Sequence, residues 1–213
     1  MKKRIAILTF IICLTLCLTG CNSNDGDKLY NEGTNAYLDG DYTTALEKFE
    51  AAKETGVSDE IKQSDLYAFL GNCYLELSDL DNAISNYQLS LEADSDDVRN
   101  YVNLAIAYRQ SGDLDKAMEL YLQATEVDPD YPELNSSLGS LYVIKEDPEK
   151  AIEYFNKAIK TDPSLAVAWG NCALAYAMID DFETADNYLK TSIEKGYENA
   201  DVIENMIEHE KNS

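Results

Sequence analysis

Residues 98–131 read VRNYVNLAIAYRQSGDLDKAMELYLQATEVDPDY, and this stretch decides the fold. Its first half places small Ala105 and large Tyr108 one helical turn apart, the three- to four-residue spacing of a helix face. Gly112-Asp113 interrupts that run. Glycine suits a left-handed helix end, and the aspartate after it can cap a second helix. In the second half Ala117, Tyr121 and Ala124 share a face, and Asp128-Pro129 ends the run because proline removes a backbone donor and collides with the turn before it. The stretch is a helical hairpin.

The hairpin recurs in both directions along the chain. Ala45, Ala83, Ala117, Ala151 and Ala185 stand 38, 34, 34 and 34 residues apart. Twelve residues before each is Gly33, Gly71, Ala105, Gly139 or Ala173, and seven after each is Ala52, Ser90, Ala124, Ala158 or Ser192. Large residues keep the same period: Tyr74, Tyr108, Tyr142 and Tyr176 in one series, and Phe49, Tyr87, Tyr121, Phe155 and Leu189 in another. Small residues let paired helices approach, and aromatic rings fill the space between them. The joints repeat too, as Gly40-Asp41, Ser78-Asp79, Glu146-Asp147 and Asp180-Asp181, with Pro148 at a first helical position and a second break at Asp162-Pro163.

This period and its alternation of small and large residues resemble the tetratricopeptide repeat family, over about Gly26 to Asn199. The resemblance implies an all-α protein, an α-solenoid of about five helix-turn-helix repeats spanning 26–59, 64–97, 98–131, 132–165 and 166–199, with a capping helix and tail at 200–213. The first spacing is longer by four, so Gly56–Glu60 is expected to form a longer loop or to extend the following helix. Glu32 and Ala36 replace the Leu or Cys and the Tyr of later repeats, as in a terminal unit facing water. Ile203, Met206 and Ile207 are expected on one face of the last helix with Glu204 and Glu208 opposite, the pattern of a solvating cap and equally of a partner-binding helix.

The first twenty residues differ from the rest. Lys2, Lys3 and Arg4 precede an apolar run from Ile5 to Leu18, shorter than the roughly 20 residues a membrane helix needs, and the pattern fits an export signal. Leu18-Thr19-Gly20-Cys21 resembles the lipobox of bacterial lipoproteins. That resemblance implies cleavage after residue 20, a diacylglyceryl group on the Cys21 thiol, and a short tether over 21–25. The competing reading is an ordinary signal peptide that contains a cysteine. Two acyl chains give stable anchoring where one does not, so the expected location is the cell membrane, lipid-anchored on its extracytoplasmic side. Loss of residues 1–20 removes three of the 17 basic residues and none of the 40 acidic ones, taking the formal net charge from −23 to about −26. Such a charge argues against nucleic acid and anionic lipid surfaces as partners. Cys73 and Cys172 lie three repeats apart, too far to bridge, and are expected as buried packing residues.

Catalysis is not expected. The one histidine, His209, sits in the C-terminal tail, and no HExxH, CxxC, His/Cys cluster, EF-hand spacing or glycine-rich phosphate loop occurs, so no cofactor or metal is expected. In the tetratricopeptide resemblance the concave face is lined by the first helix of each repeat and holds a peptide. The corresponding positions are Tyr30, Thr34 and Tyr37, then Asp65, Asn72 and Leu75, then Arg99, Val102, Ile106 and Arg109. Repeat four supplies Ser136, Ser140, Val143 and Ile144, and repeat five Val167, Leu174, Ala177 and Met178. The face thus runs from polar aromatic to apolar, and an apolar stripe of this kind marks a partner site unless curvature or the last helix covers it. Arg99 and Arg109 could receive a carboxylate or could neutralise Asp65 and Glu76. Some tetratricopeptide domains clamp a peptide C-terminus with Lys, Asn and Arg; Tyr30, Thr34 and Asn103 stand at those positions, so that activity is not carried over. The expected role is a protein- or peptide-binding adaptor or scaffold of the cell envelope. The alternative is a structural subunit self-associating through its terminal repeats.

Overall fold

Five aspartates, each one residue past a left-handed turn, punctuate the chain at equivalent places. Asp41, Asp79, Asp113, Asp147 and Asp181 accept backbone N–H bonds from Thr44, Asn82, Lys116, Lys150 and Thr184, satisfying donors that a helix start leaves without partners. The residue before each has positive φ: 77° at Gly40, 63° at Ser78, 88° at Gly112, 55° at Glu146 and 61° at Asp180. The same turn therefore closes every hairpin even where the side chain is not glycine.

The computed structural model describes residues 23–212, and the signal segment, Cys21 and Asn22 lie outside them. Eleven helices follow in order: α1 Ser23–Leu38, α2 Tyr42–Thr55, α3 Gln63–Glu76, α4 Leu80–Ala93, α5 Val98–Ser111, α6 Leu114–Val127, α7 Pro132–Ile144, α8 Pro148–Thr161, α9 Ala166–Ala177, α10 Phe182–Glu194 and α11 Ala200–Glu210. There is no strand among the described residues, and the fold is an all-α helical repeat array. Each helix packs on the next, and every odd-numbered helix also touches the following odd-numbered one, whereas no two even-numbered helices meet. The array is closed up along its odd helices and splayed along its even ones, so the odd helices form the concave side.

Glycine is used where two helices come closest. A Cβ on Gly71 would lie 2.6 Å from the Tyr87 ring, one on Gly139 2.7 Å from Phe155 and one on Gly33 2.9 Å from Phe49. Those rings, with Tyr121, are fully or almost fully buried, beside the completely buried alanines 45, 83, 117 and 151. Cys73 and Cys172 are free and buried, and burial pushes both thiols up to about 12.

Three terminal features are refined. Residues 56–62 form a loop rather than an extension of α3, held by the Ser58 N–H donating to Asp27 Oδ1 at 2.8 Å. In repeat one Glu32 accepts from Lys48 Nζ at 2.6 Å, while Ala36 does not face water but packs against the Phe49–Leu70 core. In α11 only Ile203 and Ile207 are buried, against Ala173, Ala177 and Leu189; Met206, turned away from that pair, is 44% exposed. Successive residues rotate by about 100°, so 203 and 207 can both point inward while 206 falls at the rim.

Candidate peptide groove

The concave side does not use all the residues that the repeat register assigns to it. At the α1 end Tyr30 and Tyr37 pack edge-on against Phe69, with ring centroids 5.8 and 5.6 Å apart, and Tyr30 also meets Phe49. The Thr34 hydroxyl donates to the Tyr30 carbonyl at 3.0 Å. These three side chains consolidate repeat one. Asn72 accepts from the Tyr87 hydroxyl at 2.6 Å and borders a small recess of about 110 Å³ with Asp65 and Arg99.

Arg99 is already neutralised. Its guanidinium lies on Asp97, the capping residue of its own helix, and 3.4 Å from Asp65. The Arg99 hydrogen bonds hold the Asp97 carboxyl below its ordinary value, and Asp97 in turn raises the Arg99 guanidinium. Val102 is a correction: it is buried at 3% exposure among Leu134, Leu138 and Tyr121, so it belongs to the core and not to the groove. Ala177 is likewise buried, and Met178 packs against the α9–α11 core and does not line the groove.

The remaining positions do converge. A groove of about 430 Å³ runs across α5, α7 and α9, with Ile106 and Arg109 on one side and Val143, Ile144 and Leu174 along the other. Ile144 is 47% exposed, while Leu174 is 6% exposed and offers only an edge. No residue of α11 lines the groove, which answers whether the last helix covers it. Ser136, Ser140 and Val167 complete the register positions expected there. The Ser140 hydroxyl donates to the Ser136 carbonyl at 3.0 Å and accepts from Asn171 Nδ2 at 3.3 Å.

Glu133, Ser137, Leu165 and Asn171 also line the groove and were not foreseen. A signal existed for three of them. Glu133 is the 34-residue counterpart of Arg99 and Val167, and Ser137 and Asn171 are counterparts of each other. Extending the register by one more helix position would have found them.

Electrostatics single out Arg109. It forms no ion pair among the described residues, and its Nε is buried without a hydrogen-bond partner. Beside it, the fully buried Tyr121 hydroxyl lies against Arg109 and Ser137 without good hydrogen-bond geometry, and burial raises that phenol above its ordinary value. The groove is apolar along its walls, hydroxyl-rich at its floor and cationic at one corner. It can hold an amphipathic chain in place; it brings no nucleophile and base together. Among the described residues no group of three or more His, Cys, Asp or Glu side chains could hold a metal ion.

Comparison with known proteins agrees with this architecture. Residues 106–144 match the model described as TPR repeat, and residues 64–97 and 132–165 match that described as Tetratricopeptide repeat. No curated protein matches the chain. A thermophilic TPR protein of Thermus thermophilus superposes with a TM-score of 0.71 at 20% identity, covering 88% of this chain and 100% of that one. The Pseudomonas aeruginosa pilF structure gives 0.69 at 20% identity, over 84% of this chain and 80% of that one. A chain of the APC/C hetero-tetramer Cut9–Hcn1 gives 0.74 at 19% identity, over 90% of this chain and 41% of that one. At such identities the likeness is one of fold. The chain is thus an all-α helical repeat array that carries tetratricopeptide repeats within residues 64–97 and 106–165.

Proposed function

We propose that this protein is a membrane-anchored adaptor of the bacterial cell envelope that captures a protein or peptide segment in the α5–α7–α9 groove. The observation that carries the reading is the groove itself: exposed Ile144 and partly exposed Ile106 and Val143 line an open channel that no other part of the described chain fills. Apolar surface left open in this way is stabilised by a partner that covers it. Anchoring rests on the lipobox at Leu18–Cys21. Since α1 begins at Ser23, two residues past Cys21, a lipid on that thiol would hold the first repeat at the bilayer on its extracytoplasmic side. The strong negative charge would keep the array from lying along anionic lipid.

Two experiments test this. Intact mass of the membrane-purified protein should show cleavage before Cys21 and a diacylglyceryl addition, both lost in Cys21→Ala; an unmodified Cys21 ends the anchoring claim. Photocrosslinkers at Ile106 and Val143 in native membranes should trap a defined partner, and Ile106→Glu with Val143→Glu should abolish capture while helicity is retained. Leu174 is unsuitable for this, because it packs with Ile203 and Ile207 in the core. Unchanged capture by the double variant removes the groove from consideration.

The second reading, self-association through the terminal repeats, is favoured by Val202 and Met206, which are 51% and 44% exposed on the outer side of α11. Sedimentation of the wild type and of Val202→Asp with Met206→Asp separates it: an oligomer dissolved by that change supports the structural role.

A further inference from the structure

Two buried polar groups meet at one corner of the groove: Arg109 Nε and the Tyr121 hydroxyl lie close to each other and to Ser137, and neither makes a hydrogen bond of good geometry. In repeat two the Tyr87 hydroxyl donates to Oδ1 of Asn72, on the concave side of α3. Tyr121 is the counterpart of Tyr87 one repeat later, and the counterpart of Asn72 is Ile106, which has no acceptor. The Tyr121 hydroxyl therefore lacks the acceptor its counterpart has and lies instead against Arg109 and the groove-lining Ser137. Repeats one and four carry Phe49 and Phe155 at this place, so packing does not require the hydroxyl.

Arg109 points to the same requirement. Of the basic side chains that make no ion pair among the described residues, Lys145, Lys160, Lys190 and Lys195 are exposed and only Arg109 is partly buried. A guanidinium in a chain of net charge −23 that still lacks a carboxylate partner is held apart from the acidic side chains around it. Glu133 lines the same groove and forms no salt bridge with it.

We infer that this corner receives the carboxylate of an aspartate or glutamate side chain, carried by an extended or helical partner segment whose apolar residues lie along Ile106, Val143 and Ile144. The inference rests on the groove reading above and adds its ligand chemistry. Arg109 and Ser137 line the groove and can donate, with the fully buried Tyr121 hydroxyl positioning the guanidinium, so the missing group is an acceptor, and the charge on Arg109 makes it an anion. A monoanion fits better than a phosphate dianion, because the corner offers a single guanidinium and the acidic Glu133 lines the same groove. A side chain fits better than a chain terminus, because the groove continues across three helices and the odd-helix surface extends past Arg109 onto α3, leaving room for the segment on both sides.

The test uses the full chain in detergent and dye-labelled hexapeptides, acetylated and amidated, each with one glutamate among leucine, isoleucine and valine. Each has a glutamine twin and a free-acid form. Glutamate peptides should bind saturably and their glutamine twins roughly tenfold or more weakly, the scale of a charged hydrogen bond. Arg109→Gln and Tyr121→Phe should each shrink that preference, with circular dichroism unchanged. Equal binding of the twins, a preference that survives both substitutions, binding that demands a free C-terminal acid, or no binding at millimolar peptide each overturns the inference. Equal binding of the twins that Ile106→Glu abolishes would remove the carboxylate and leave the groove reading standing.

Discussion

The Tyr87 hydroxyl donates to Asn72 at 2.6 Å, whereas Tyr121, its counterpart one repeat later, has Ile106 at the position equivalent to Asn72 and makes no hydrogen bond of good geometry. Two nearly identical side chains at equivalent places thus carry opposite energetic signs. A made hydrogen bond contributes about 1 kcal/mol, while a buried hydroxyl without a partner costs about 1–3 kcal/mol.

Tyr87→Phe should accordingly lower the unfolding free energy by about 1 kcal/mol, and Tyr121→Phe should leave it unchanged or raise it. Urea denaturation of both variants checks this. Equal losses would mean that the Tyr121 hydroxyl is satisfied in solution.

Close helix approach makes a second prediction. Gly71→Ala and Gly139→Ala bring a methyl within 2.6 and 2.7 Å of buried rings and should each cost roughly 1–3 kcal/mol by overpacking. Repeats three and five carry Ala105 and Ala173 at this place, so the glycine requirement belongs to individual hairpins and not to the repeat. Thermal melts that show no loss for either variant would mean that the rings withdraw freely.

The hairpin turns offer stabilising changes. Ser78, Glu146 and Asp180 hold left-handed φ values that cost L-residues roughly 1–2 kcal/mol and glycine almost nothing. Ser78→Gly and Glu146→Gly should raise stability by about 0.5–1 kcal/mol after the added entropy of the unfolded glycine. Gly112→Ala, at φ 88°, should lower it. A falling melting temperature in the two glycine variants would contradict this account.

Cys73 and Cys172 should resist a thiol reagent at pH 8 in the folded protein and react on unfolding, since burial moves both thiols to about 12. Unfolded thiols titrate near about 8.5. The neutral thiol is what the fold accommodates, so this contribution is intact below about 8.5 and declines as pH rises from there toward 12. Rapid labelling without loss of helicity would refute the burial.

Stability should also fall in acid. Asp41, Asp97 and Asp147 have lowered carboxyl values, through the Thr44 N–H, Arg99 and Lys150 respectively. Their contribution is complete above the unfolded value of about 4 and is lost as pH falls through the folded values. Salt at pH 7 should raise stability by screening the repulsion within a chain of 40 acidic residues. A melting temperature that holds from pH 7 to about 5 and falls below about 4 is expected. A melting temperature that stays level to about pH 2 would show that these carboxylates contribute nothing.

Much of this molecule is written locally. The turn at Gly112-Asp113 and its four counterparts, the breaks at Pro129 and Pro163, and the small–large alternation around Ala117 and Tyr121 each involve residues within a turn or two of one another. Capping geometry, left-handed φ and helical periodicity are properties of short segments, so sequence alone determined the hairpins and their order. The burial of Cys73 and Cys172 follows from the same register.

Tertiary structure decided which faces those helices present and which charges remain available. Val102 and Ile106 are one turn apart on α5, yet the first is enclosed with Leu134 and Leu138 of α7 in the core and the second lines the groove. Arg99 is occupied by Asp97 and by Asp65, 34 residues away, while Arg109 is left with its Nε unpartnered. Periodicity identifies equivalent positions but not the neighbours they meet across helices. Those neighbours set desolvation and pairing, and they make one corner of a repetitive acidic array a place for an anion.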